Sequence, residues 1–82
     1  MPHDIDRMQR IIQRDESALV ELYQSYGRLV YSLAMHVLQD AGLAEEVTQD
    51  TFLKLWNRPE AWDPGKGQLS TWLMTVARYT AI

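Results

Sequence analysis

Eighty-two residues with a formal net charge of −3 bound the chain to one domain with one modest core. The absence of cysteine excludes a disulfide framework and a thiolate zinc site. No run approaches the ~18 apolar residues of a membrane span, and Met1 to Asp6 lacks a signal-peptide core, so no membrane insertion is expected and the cytoplasm is the expected compartment.

Ile5, Met8, Ile11 and Ile12 recur at helical steps and predict a short first helix. Asp15 offers an N-cap, with Glu16 in the first turn of the next helix. Leu19, Leu22, Tyr23, Tyr26, Leu29, Val30, Leu33 and Val37 form one continuous stripe, which predicts a long second helix. Gly27 lies inside it at a cost of about 1 kcal/mol relative to Ala. Asp40-Ala41-Gly42 breaks the pattern, and a third helix is expected from about Leu43 to Asn57. Pro59 and Pro64-Gly65 cannot sit inside a helix, so residues 58–67 read as a loop. The fourth helix starts near Gln68 and places Leu69, Trp72, Leu73, Val76 and Ala77 on one face. No strand signal is present. The expected fold is therefore all-α, a compact bundle of about four helices over residues 1–82. The last helical pattern runs to Ala81-Ile82 without a stop signal, which suggests a piece of a longer protein.

Charge is unevenly spread. Residues 40–57 carry Lys54 against Asp40, Glu45, Glu46 and Asp50, while residues 58–82 carry Arg58, Lys66 and Arg78 against Glu60 and Asp63. An acidic helix thus precedes a slightly basic segment, suiting a basic partner at one surface and a nucleic acid at another, or simply solvation.

Phasing the third helix puts Leu43, Ala44, Val47, Thr51 and Leu55 toward the core. Glu45, Gln49, Phe52 and Trp56 form a second stripe, flanked by Glu46 and Asp50. An aromatic-bearing polar stripe suits protein docking; Phe52 and Trp56 equally suit a small core. In the loop, Trp62 is the candidate for an exposed stacking ring beside Lys66 and Gln68, or for a cover over the helix ends. Trp72, on the apolar face, belongs to the core on this reading. Ser70, Thr71, Met74, Thr75 and Arg78 form the outward face of the fourth helix, with hydroxyls and a guanidinium suited to phosphates and base edges.

The order of residues carries a resemblance. Ala44-Glu45-Glu46-Val47-Thr48-Gln49-Asp50-Thr51-Phe52-Leu53-Lys54-Leu55-Trp56 resembles the second-region signature of bacterial RNA polymerase sigma factors of the extracytoplasmic-function group, Ala-Glu-Asp-x-x-Gln-(Glu/Asp)-x-Phe-x-(Lys/Arg)-x-Trp. Trp62-Asp63-Pro64, Gly67 and Trp72 through Arg78 are similar to the same family's downstream run, and Asp15, Ala18, Leu22, Tyr23 and Tyr26 fit its upstream helix. The resemblance implies a sigma region 2-like domain that docks on the clamp helices of the polymerase β′ subunit and binds the non-template strand of the minus-ten promoter element, where a base is flipped into a loop pocket. Docking then falls on Glu45, Glu46, Gln49 and Asp50, with Phe52 and Trp56 beside them. Strand binding falls on residues 62–68, with Trp62, Lys66 and Gln68 as side-chain candidates, and on Ser70, Thr71, Met74, Thr75, Arg78 and Tyr79. The family commonly has Asn where this chain has Tyr79, which can stack and donate one hydrogen bond but lacks an amide's paired contacts. The family's second promoter-binding domain is not contained in these residues, and an anti-sigma factor is an implied partner.

Enzymatic chemistry finds no support. His36 and Asp40 stand four residues apart, but two ligands do not make a metal site, and no nucleophile–base arrangement or phosphate loop is present. No cofactor is expected. The alternative function is a sigma-like helical interaction module without sequence-specific DNA binding. A helix-turn-helix duplex reader would need more base-reading side chains on one helix than Arg78 supplies.

Overall fold

The computed structural model describes residues 2–82; Met1 of the expected 1–82 domain lies outside the described residues. The all-α expectation holds. α1 spans Pro2–Ile12, α2 Glu16–Leu38, α3 Ala41–Asn57 and α4 Leu69–Ala81. Two short 3-10 turns, Pro59–Ala61 and Pro64–Lys66, occupy the expected loop. Among the described residues, no helix is long and apolar enough to cross a membrane.

The helix ends are set by local chemistry. After α1, the Asp15 N–H bonds the Arg10 carbonyl and the Arg14 N–H bonds the Ile11 carbonyl, both at 2.9 Å. This closure needs a left-handed residue, normally glycine, and here Arg14 adopts it with φ 65°. The Asp15 carboxylate then accepts from the Ser17 N–H at 3.0 Å and caps α2. Asp40 caps α3 by accepting from the Leu43 N–H at 3.0 Å. That cap draws Ala41 and Gly42 into α3, so the helix begins earlier than the sequence break suggests.

α2 runs through the middle and packs on α1, α3 and α4. Leu22, Val30 and Ala34 meet Ala44, Val47 and Leu55 of α3, Leu69, Leu73 and Ala77 of α4, and Met8 and Ile11 of α1. Each large side chain in this cluster contributes roughly 1.5–3 kcal/mol by burial. The apolar stripe of α2 is wider than its buried face. Tyr23, Leu29 and Val37 are substantially exposed, as are Ile5 and Ile12 of α1, while Ala18, Gly27 and Ala34 sit innermost. Small residues let the helices approach closely, and larger ones fall on the shoulders of the contact. A Cβ on Gly27 would meet the Tyr23 ring at 3.3 Å. The ring uses that space to pack on Phe52 with centroids 5.1 Å apart. Such a pair contributes ~0.5–1.5 kcal/mol and offsets the helix cost of Gly27.

A polar network fastens α1 to α2. The Arg10 guanidinium donates to Glu21 at 2.7 and 3.2 Å, to Asp15 at 3.0 Å and to Ser17 at 2.9 Å. The Ser17 hydroxyl and then Arg10 hold the Asp15 carboxyl below the usual carboxylate range, and Arg10 does the same for Glu21. Asp4, buried on the inner side of α1, accepts from the Tyr26 hydroxyl and from Arg7. Burial, then the bond to Asp4, pushes the Tyr26 phenol up to about 12. Buried Thr48 and Thr51 donate back to the Ala44 and Val47 carbonyls at 2.8 and 2.7 Å. No buried side-chain polar atom among the described residues lacks a partner.

Candidate nucleic-acid interface and docking face

The loop between α3 and α4 is organised by its own backbone. The Arg58 N–H closes α3 on the Lys54 carbonyl at 3.0 Å. The Asp63 carboxylate accepts from the Gly65 N–H at 2.9 Å and sets the second short turn. Gly67 then adopts φ 141°, a conformation that side chains rarely allow. This presents its carbonyl to the indole N–H of Trp62 at 3.2 Å.

Trp62 is only 9% exposed. The expectation of an exposed stacking ring is therefore corrected: the indole joins the core, and its one donor is satisfied by the loop folding back over it. Trp72 keeps its expected place against the core, at its edge. It is half-buried rather than enclosed, and it lines a surface hollow of about 260 Å³ with Trp62, Lys66, Gln68, Thr71 and Thr75. Helical phasing could not separate Trp72 from Leu69 and Leu73, because it cannot show that α4 turns one edge of its apolar face toward the loop.

A second hollow of about 330 Å³ continues along α4 between Thr71, Met74, Thr75, Arg78 and Tyr79. Thr71 and Thr75 line both hollows, so the two adjoin. Of the strand-binding side chains expected from the sequence, Trp62, Lys66, Gln68, Thr71, Met74, Thr75, Arg78 and Tyr79 line one or the other, and Ser70 does not. Tyr79 is 75% exposed. Lys66 and Arg78 are exposed and form no ion pair among the described residues. The surface thus combines an aromatic edge, an amide, hydroxyls and two unpaired cations.

On α3, Glu45, Glu46, Gln49 and Asp50 are all exposed, and none of the acids is ion-paired among the described residues. Phe52 does not join them. It is 3% exposed and packs on Tyr23, so its expected place in the docking stripe is corrected to the core. Leu43, expected inside, is exposed instead. Both changes have one cause: the buried arc of α3 is rotated toward α2, taking in Thr48 and Phe52. Trp56 is half-buried, and the Arg14 guanidinium lies over its ring, 4.5 Å from the centroid. Gln49 borders an apolar groove of about 420 Å³ with Leu19, Val20, Tyr23, Phe52 and Leu53. Val20 and Leu53, apolar residues off the core stripes, were its signal in the sequence.

Residues 22–82 match the family described as Sigma-70 region 2. The chain belongs to the sigma-70 region 2 family. This region 2 chain is 36% identical over 80 residues to proteins named ECF RNA polymerase sigma factor SigK in Mycobacterium tuberculosis and Mycobacterium bovis, covering 96% of the chain and 43% of each relative. The protein of that name in Mycolicibacterium vanbaalenii is 36% identical over 75 residues, covering 92% of the chain and 38% of the relative. The chain therefore spans about two fifths of the length of the curated relatives it matches. The hollows along the loop and α4, and the acidic face of α3, all lie within the family match.

Proposed function

We propose that this sigma region 2 domain docks on the clamp helices of the RNA polymerase β′ subunit through Glu45, Glu46, Gln49 and Asp50, and captures the non-template strand of the minus-ten promoter element along the loop and α4. The hollow between Trp72, Lys66, Gln68, Thr71 and Thr75 carries this reading. It brings together a ring for stacking, a cation for phosphate, and an amide and hydroxyls for base edges. Extruding a base costs a few kcal/mol. Stacking returns about 1–3 kcal/mol per base, and capture of the extruded base then favours the melted strand. Tyr79, exposed at the far end of the adjoining hollow, is the next stacking surface.

Two cations support only modest affinity for free DNA, so the polymerase supplies most of the binding. Unpaired acids on α3 suit a basic partner and steer its approach. The names of the relatives, RNA polymerase sigma factors, support the same partner. An anti-sigma factor is the partner that would cover these surfaces in the inactive state.

The test is fluorescence anisotropy with a labelled minus-ten-like single strand, its scrambled counterpart and the duplex, with and without a β′ clamp-helix fragment. The minus-ten-like strand should bind best. Two phosphate contacts, through Lys66 and Arg78, predict a log–log salt slope of about −1.4. Equal binding to all three nucleic acids, with clamp-helix binding intact, would replace this reading with a helical interaction module.

A further inference from the structure

The geometry points to Arg14 as a positioning residue that holds the end of α3, and through it the loop that forms the strand-binding hollow. This rests on the proposed function for the identity of the ligand, but not for the clamp itself. Arg14 is one of two non-glycine residues with positive φ, 65°, in the described chain. A left-handed arginine is strained, and such conformations persist where surrounding contacts determine them. Its side chain makes two contacts with one residue. The guanidinium lies over the Trp56 ring, and it also donates to the Trp56 carbonyl in the last turn of α3. The planar, delocalised guanidinium suits both roles at once. A long-range bond thereby satisfies one of the carbonyls that a helix end leaves without a partner.

Just past Trp56, α3 ends at Asn57 and the chain enters the strand-binding loop. The Pro59–Ala61 turn packs on both α1 and α3. Its Ala61 N–H bonds the Arg58 carbonyl at 3.0 Å, and the Trp62 N–H bonds the Pro59 carbonyl at 3.4 Å. Ala61 and Trp62 already line the hollow. Arg14 therefore fixes the chain just before the floor of the hollow is laid down. Among the described residues, no hydrogen bond or ion pair joins Arg14 to one that lines the hollow, so its effect on the strand runs through Trp56.

Arg14→Gly separates positioning from stability. Glycine relieves the left-handed strain while deleting both contacts with Trp56. Helical content and thermal midpoint should hold, while amide hydrogen exchange at Arg58, Ala61 and Trp62 should accelerate. Affinity for the minus-ten-like single strand should fall roughly three- to tenfold. Arg14→Lys keeps a cation that can reach the ring and the carbonyl, and should recover part of both losses. Unchanged exchange at the three amides overturns the clamp, and faster exchange with unchanged affinity overturns its positioning role. If the wild-type chain binds no single strand, the functional reading falls, and the exchange measurement alone still decides whether Arg14 holds the loop.

Discussion

The indole N–H of Trp62 donates to the carbonyl of Gly67 at 3.2 Å, so the loop between α3 and α4 is closed across its base by one side chain. The left-handed Gly67 makes the bond possible, and the buried ring makes it part of the core. Trp62→Phe keeps most of the apolar fill but removes the donor. Unfolding in denaturant should show a loss of about 1 kcal/mol, and anisotropy should show weaker single-strand binding. Full retention of both would mean that the loop holds its shape without the bond. Trp62→Ala is the harsher change, at roughly 3–5 kcal/mol, and should unfold much of a domain this small.

Trp72 is the more exposed of the two indoles that line the hollow. Trp72→Ala should weaken oligonucleotide binding by about 1–3 kcal/mol if a base stacks there. Circular dichroism should confirm that the helices persist. Unaltered affinity in a folded variant would return Trp72 to a packing role.

Gln49 and Asp50 are exposed and without ion-pair partners among the described residues, so changing them should leave the fold intact. Gln49→Ala with Asp50→Ala should abolish capture by a β′ clamp-helix fragment in a pull-down. Stability should move by no more than about 0.5 kcal/mol. Capture at wild-type levels would remove these residues from the docking face.

Tyr26 and Asp4 tie α2 to α1 from within. Tyr26→Phe removes the donor from a buried carboxylate that otherwise has only Arg7 at 3.4 Å. A loss of roughly 1.5–3 kcal/mol is expected in denaturant unfolding. The phenol also carries a pH signature. Its folded-state value is raised from 10.0 to about 12. The neutral form is favoured by folding, so its contribution is complete below pH 10 and is lost as pH rises through that window. The alkaline decline in thermal midpoint should be smaller in Tyr26→Phe than in the wild type.

The acid limb has the opposite sign. Asp15 and Glu21 are lowered on folding, by the Ser17 hydroxyl and Arg10 for the first and by Arg10 for the second. Their contribution is present above the ordinary carboxylate range near ~4 and disappears as pH falls through their lower folded-state values. Both are surface groups, so the effect should be modest and salt-sensitive. Replacing Arg10 by Met should flatten the acid limb of a pH–melting curve; an unchanged curve would show that these pairs are too solvated to matter.

The sequence by itself determined the helix inventory, because apolar periodicity, Asp caps and proline breaks act over a few residues. Asp15 caps α2, Asp40 caps α3, and Pro59 and Pro64 break the chain between α3 and α4. It also carried the signature of the sigma region 2 family. Only the tertiary structure decided which aromatic rings face solvent. Phe52 went inward because Tyr23 of α2, with Gly27 giving it room, supplies a wall that α3 cannot see in its own periodicity. Trp62 turned inward rather than out to solvent because the Gly67 carbonyl folds back onto its indole, while α4 leaves Trp72 at the edge of the core. Arg14 gave no signal at all in the sequence. Its contact with Trp56 joins residues 42 positions apart, a separation that no local pattern records.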